Sequence, residues 1–265
     1  MSDINVAFAS TAYGPLWAPA VSSWLRLIAY TARNFQIEDV GKIGGCGITD
    51  RLYTMTAENQ IVKECLAKDF THIFMTEMDM ILPHDTITKL VALDKDIASG
   101  VYFLRSHLQV GRGQPCLYKK STAVEAKRAL AQEINYYHSP ITLFPLNEPF
   151  RVDCAGLGCT LFKREVFERM EYPWFDLRAG TDIKIGYGSD MYFYTHAKHA
   201  GIELWVDPTV RCRQIDYYET DIEDYQWQLE NNPKFAGSGF IIGHGDGKDG
   251  ITDAERGRGV DAPQA

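Results

Sequence analysis

Thr71-His72-Ile73-Phe74-Met75-Thr76-Glu77-Met78-Asp79-Met80-Ile81-Leu82-Pro83 is the stretch on which the fold turns. Thr71 to Thr76 has a nearly continuous apolar centre, the composition of a strand buried on both faces of a parallel sheet. Two acids follow at once. Alternation along an extended chain puts Glu77 and Asp79 on one side, at the carboxyl end of the strand, where open α/β sheets bind ligands. Carboxylates held this close repel each other and lose solvation unless a cation neutralises them. A divalent ion bridging to a diphosphate supplies that charge, because magnesium and manganese favour carboxylate and phosphate oxygens together. The rival reading is a solvated turn with both acids in water. The apolar return Met80-Ile81-Leu82-Pro83 weighs against it by burying the flanks.

Upstream, Asn5 to Ser10 reads as a short buried strand, followed by the turn-rich loop Thr11-Ala12-Tyr13-Gly14-Pro15. Pro19 to about Asn34 has helical periodicity with Trp24, Leu25, Leu27 and Ile28 as its apolar face. Gly41 to Gly47 reads as a loop, and Thr56 to Lys68 as a second helix carrying Ile61, Val62, Cys65 and Leu66 on one side. Downstream, Pro83 opens a third helix with Ile87, Leu90 and Val91, and Ile97 to Phe103 is the next strand. The β-α-α-β-α-β rhythm implies an α/β sheet flanked by helices, with right-handed crossovers.

The second half is more mixed. A helix is expected from about Thr122 to Asn135, a strand-turn-strand from Val152 to Lys163 around Gly156 and Gly158, and a short helix from Arg164 to Met170. Ser189 to His199 reads as a helix and Glu203 to Val206 as a short strand. The expected organisation is one domain over residues 1–236, with a donor half of about 1–105 and an acceptor half of about 106–236. Residues 237–265, rich in Gly and Asp, read as a flexible tail.

The chain has 265 residues, 45% hydrophobic and 23% charged, enough for one sizeable core and too apolar for a disordered chain. A net charge of −8 argues against a protein that holds nucleic acid mainly through its phosphates. Cys46, Cys65, Cys116, Cys154, Cys159 and Cys212 form no C-x-x-C pair, and in a chain of this size they read as reduced, mostly buried thiols. The start MSDINVAFAS lacks the basic residues and apolar core of an export signal, and no apolar run reaches membrane length. A cytoplasmic location without an anchor is the expectation.

The run Thr71 to Pro83 resembles the strand and DxD-type motif of GT-A glycosyltransferases, especially the family 2-like group, with Glu77 at the place of the first Asp. Ser99-Gly100-Val101-Tyr102-Phe103-Leu104-Arg105 is similar to the following strand in phage and bacterial members. Asp153 to Phe167 resembles their glycine turn and short helix. Pro173-Trp174-Phe175 and Gly188-Ser189-Asp190-Met191-Tyr192-Phe193 look like the acceptor-side loop and the Glu-Asp motif, and Gly201 to Asp207 like the strand after it. The resemblance covers roughly residues 4–215. It implies a GT-A (Rossmann-like) fold with a mixed, mainly parallel sheet. It further implies transfer of a sugar from a nucleotide-diphosphate sugar, assisted by Mn2+ or Mg2+ at Glu77 and Asp79. Three positions depart from the pattern. Glu58-Asn59 stands for an Arg-Asn pair, Ser189 for the Glu before the base-like Asp, and Cys212-Arg213-Gln214 carries no His where many relatives have a further metal ligand.

Each remaining candidate has two readings. Asp190, at a helix N-terminus that favours an ionised carboxylate, is either the general base of an inverting displacement or a first-turn acid with only a helix role; Asp182 is a second candidate base. Thr11 and Tyr13 hold the nucleotide, as the family implies, or form an ordinary turn. Asn59 touches the nucleotide or packs beside it. Arg105 pairs with a phosphate or is solvated. Gly156 lets the backbone approach the donor sugar or simply turns the chain. Trp174 and Phe175 form a platform for the acceptor or belong to the core. His196 and His199 share a helix face but have no carboxylate partner in view. The segment Gly245 to Gly250 imitates a calcium loop without its acids. A nucleotidyltransferase is the alternative enzyme, disfavoured because Thr11 to Leu16 has neither Lys nor Arg; a non-catalytic nucleotide- or carbohydrate-binding module is the other alternative. The acceptor is left open among a glycan, a protein and a modified base of phage DNA.

Overall fold

The computed structural model describes residues 4–12, 14–34, 48–50, 52–104, 113–120, 138–177, 188–216, 218–231 and 240–241. The first half contains β1 (Val6–Ala12), α1 (Ala18–Asn34), β2 (Ile48–Asp50), α2 (Thr54–Leu66), β3 (His72–Glu77), β4 (Met80–Ile81), α3 (Thr86–Ala92), β5 (Ile97–Val101) and β6 (Phe103–Leu104). There follow β7 (Gln114–Pro115), β8 (Leu117–Lys120), β9 (His138–Leu143), β10 (Phe150–Val152), β11 (Cys154–Ala155), β12 (Cys159–Lys163) and α4 (Arg164–Glu168). The chain closes with α5 (Ser189–His199), β13 (Leu204–Arg211), β14 (Arg213–Asp216), β15 (Tyr218–Thr220), α6 (Ile222–Asn231) and β16 (Phe240–Ile241).

The main sheet has seven strands in the order β10-β13-β5-β12-β3-β1-β2. Five run the same way; β10 and β12 oppose them. This is an α/β sheet, as the sequence rhythm implies, and its mixed, mainly parallel order is the one that the resemblance implies. One feature departs from that rhythm: β12, from the second half, is inserted antiparallel between β3 and β5. The insertion brings Gly158 and Cys159 to the end of the sheet where β3 finishes, since Cys159 lies opposite Thr76.

Alternation on the central strands feeds two apolar layers. Ala7, Ala9, Ile73, Met75 and Phe162 pack with residues of α2, α4, α5 and α6. Val6, Phe8, Phe74 and Leu161 pack with Trp24 and Leu27 of α1 and with Ile87 and Leu90 of α3. Glu77 has the parity of Ile73 and Met75, so the pleat aims it at the α2–α5 layer. Of the apolar face expected on α1, Leu25 is instead exposed. Pro83 lies ahead of α3 rather than inside its first turn, and its carbonyl accepts from the Thr86 hydroxyl at 2.8 Å.

Three smaller sheets are found among the described residues: β11-β8-β9-β16, β15-β14-β4 and the pair β6-β7. In the stretch expected to be a tail, Phe240–Ile241 pairs in parallel with β9; the other residues after Ile241 lie outside the described residues, as does the helix expected at 122–135. Cys65, Cys116, Cys154, Cys159 and Cys212 are buried and stand outside any disulfide. Among the described residues no helix is long and apolar enough to cross a membrane.

Candidate active site at the carboxyl end of the sheet

β1 and β3 end side by side, and their register sets Thr11 directly opposite Glu77. Beyond them opens a cleft of about 260 Å³, whose wall includes Thr11, Trp17, Leu52, Thr54, Glu77 and Asp79. Glu77 and Asp79 thus reach one cleft, by a different route from the one alternation implies. Glu77 is the last residue of β3, while Met78 and Asp79 form a tight turn into β4. That turn is pinned from both sides. The indole N–H of Trp24 in α1 donates to the Met80 carbonyl at 2.9 Å, and the Leu82 N–H donates to the Ser23 hydroxyl at 3.0 Å. From the other side, β14 pairs with β4, and the Gln214 side-chain amide donates to Asp79 Oδ2 at 3.0 Å.

Burial pushes the Glu77 carboxyl up to about 8, and the neighbouring charges of Asp79 and Asp190 push the same way. Asp190, in the first turn of α5, accepts its neighbour's N–H, Met191 N to Oδ1, at 2.7 Å. The helix terminus was expected to keep this acid strongly ionised. Instead its carboxyl is raised above the ordinary aspartate range, because desolvation outweighs the backbone N–H groups. The charge of Asp190 acts on Glu77, which lines the cleft.

Glu58 of α2 is a third acid beside Glu77 and Asp190, and nothing in its own stretch of sequence marks it as a group with its own chemistry. It is 3% exposed, accepts from the Ser189 hydroxyl at 3.1 Å, and is pushed up to about 8 by burial first, then by Asp190 and Glu77. Two of the three departures from the family pattern, Glu58 and Ser189, are therefore hydrogen-bonded to each other. No sequence signal could have joined them, because 131 positions separate them. The third departure, Cys212-Arg213-Gln214, contains the side-chain amide that donates to Asp79.

Other expected contacts have structural occupations. Asn59 uses its whole amide inside the protein: Nδ2 donates to the carbonyls of Met55 (2.8 Å) and Phe175 (2.6 Å), and Oδ1 accepts the N–H groups of Trp174 (3.1 Å) and Phe175 (3.2 Å). Trp174 and Phe175 are core residues, packed on Phe167 and, for Phe175, stacked on Phe193 at 4.8 Å. An acceptor platform needs an open ring face, and these rings are covered. Gly156 has a packing reason to be glycine, since a Cβ there would lie 1.8 Å from the Tyr102 hydroxyl. His196 places Nδ1 2.9 Å from the Tyr192 carbonyl and its ring 6.4 Å from that of His199. Tyr13, Arg105, Asp182 and the segment Gly245 to Gly250 lie outside the described residues. Trp17, exposed at the cleft, was missed: a single Trp after a loop carries no local signal of facing a pocket.

Among the described residues no three His, Cys, Asp or Glu side chains are grouped to hold a metal ion. The donor set at the cleft is two carboxylates, and the charges that act on Glu77 are acids. Such a set fits a hard divalent ion that takes its remaining ligands from phosphate oxygens and water.

No family model matches the chain, and no curated protein matches it in sequence. Among solved structures it is similar to A197 from STIV, at 16% identity over 80% of this chain and 86% of that one, with a TM-score of 0.49. It is also similar to GalNAc-T7, solved with UDP, GalNAc and Mn2+, at 10% identity over 81% of this chain, with a TM-score of 0.50. The chain spans 44% of the length of GalNAc-T7. The likeness to GalNAc-T7 is one of fold, and that fold is of the GT-A glycosyltransferase type.

Proposed function

We propose that this protein transfers a sugar from a nucleotide-diphosphate sugar to an acceptor hydroxyl, with inversion at the anomeric carbon. The observation that carries the reading is the in-register meeting of Thr11 and Glu77 at the carboxyl ends of β1 and β3, on a cleft that also receives Asp79. An oxygen-rich, doubly charged leaving group is the ligand chemistry that two converging carboxylates and a divalent ion together select. GalNAc-T7, of the same fold, holds that combination of nucleotide diphosphate, sugar and ion.

In this reading Thr11 faces the nucleotide, with Tyr13 and Arg105 as further donor contacts. Glu77 and Asp79 hold Mn2+ or Mg2+, which when bound neutralises charge on the departing diphosphate. Asp190 is the base: it takes the proton of the acceptor hydroxyl as that oxygen bonds to the anomeric carbon and the bond to the diphosphate oxygen breaks. Burial raises its carboxyl above the ordinary aspartate range, and a higher pKa makes a carboxylate the stronger base. Glu58, bonded to Ser189, holds the start of α5 and so places Asp190.

The test is a thermal-shift screen of nucleoside diphosphates and their sugar conjugates, with and without Mn2+, followed by turnover of the best donor. Stabilisation by one nucleotide series that needs the metal is expected. Asp190→Asn is expected to lower turnover by roughly 10²–10⁴-fold while donor binding persists. Absence of a response to every nucleotide, in either metal condition, would sink the reading.

A further inference from the structure

Asp79 occupies a two-residue turn, which by itself places few restraints on a side chain. The restraint comes from β14. The N–H of Ile215 donates to the Asp79 carbonyl at 2.9 Å, and the side-chain amide of the preceding residue, Gln214, donates to Asp79 Oδ2 at 3.0 Å. One strand therefore fixes both the backbone and the carboxylate of the same residue. An ionised carboxylate only accepts hydrogen bonds, so the NH2 end of the amide is the end that faces it. The amide is also neutral. A Lys or Arg at this position would orient Asp79 equally well but would spend its charge on the acid, displacing any cation from the cleft.

We propose that Gln214 is a positioning residue for the cation end of the cleft: it orients the Asp79 carboxylate toward an ion shared with Glu77 while leaving the negative charge of the pair intact. The inference rests on the reading that Glu77 and Asp79 bind a divalent ion. It assigns to the β14–β4 pairing the job of presenting one of the two ligands. Hydrogen-bonding partners of metal-ligating carboxylates commonly carry 10–100-fold of metal affinity, and Gln214 is a described residue in that relation to Asp79.

The test measures Mn2+ binding without any nucleotide, by calorimetry and by loss of the free-ion paramagnetic resonance signal, together with melting of the metal-free proteins. Gln214→Ala is expected to weaken Mn2+ binding about 10–100-fold. Gln214→Lys is expected to abolish it. Gln214→Met, close in length and uncharged, loses only the donor, so it should weaken Mn2+ binding as Gln214→Ala does. If Gln214→Ala does not fold, the Gln214→Met comparison decides, and Mn2+ affinity equal to that of the wild type overturns the proposal. Equal Mn2+ affinity in wild type and Gln214→Ala, with binding lost in Asp79→Asn, overturns the role of Gln214 and leaves the cation reading standing. Wild type that binds no Mn2+ removes the cation reading, and this inference with it.

Discussion

The end of β3 and the segment Pro173-Trp174-Phe175 both carry side chains suited to ligands, yet the fold treats them in opposite ways. Glu77 and Asp79 stand where two parallel strands stop side by side, so they open on a cleft. Trp174 and Phe175 lie under α4 and α5 and are tied there by Asn59. The difference teaches that residue chemistry proposes a role and the ends of the strands dispose of it. It also sets opposite signs for substitution: removing a side chain from the aromatic layer costs stability, whereas removing an acid from the cleft relieves it.

Phe175→Ala is the most damaging change expected. The ring is 1% exposed and stacks on Phe193, so its loss should cost about 3–5 kcal/mol, with a fall in melting temperature of roughly 10 °C or more. Asn59→Leu follows at about 2–4 kcal/mol, since it strands the N–H groups of Trp174 and Phe175 and two carbonyls. At a temperature where both variants are folded, Mn2+ affinity should equal that of the wild type. A selective loss of nucleotide or Mn2+ binding in folded Asn59→Leu would return that residue to the site and erase the contrast.

The sequence made the first region readable because its signal is local: an apolar run of strand length, an abrupt pair of acids, and an apolar return. The limits of α5 were equally plain, with Gly188 before and Gly201 soon after. What it hid was non-local. The antiparallel entry of β12 between β3 and β5 depends on pairing with residues more than sixty positions away, Thr160 with Ser99 on one side and Cys159 with Thr76 on the other. The raised carboxyl of Asp190 is hidden from the sequence because a helix terminus is visible in one dimension and burial is not. Trp174, Phe175 and Trp17 are all aromatic residues beside turns, and only the packed structure separates the covered rings from the open one.

A pH experiment sharpens the contrast. The Glu58 carboxyl has its folded value raised from 4.5 to about 8. Such a group favours the folded state fully below its unfolded value, and that advantage is lost as pH rises through the folded value. Glu58→Gln should therefore melt like the wild type near pH 4 and gain on it between pH 4.5 and 8, by about 1–3 kcal/mol at the top of the range. A gap that is flat across this window would mean that Glu58 is ionised throughout. Glu77 is raised in the same manner, so Mn2+ binding at pH 7 should expel close to one proton, measurable in buffers of differing ionisation enthalpy, and none above pH 9.

The smallest expected effect on stability tests the placement of Asp190 without altering any charge. Gly188 has φ −64° and ψ 158°, a conformation open to any residue, so alanine there meets no backbone strain and gains about 0.4–1 kcal/mol by restricting the unfolded chain. Its methyl group, however, would come within 2.5 Å of Asp190 Oδ1, the oxygen that accepts the Met191 N–H. The carboxylate has to swing away, giving up a first-turn hydrogen bond of about 0.5–2 kcal/mol. These two terms nearly cancel, and the melting temperature should move by no more than about 2–4 °C. Turnover should still fall about tenfold or more, because a base displaced by an ångström loses its alignment. Full turnover in Gly188→Ala would mean that the position of this carboxylate does not govern the chemistry, and the proton would have to go elsewhere.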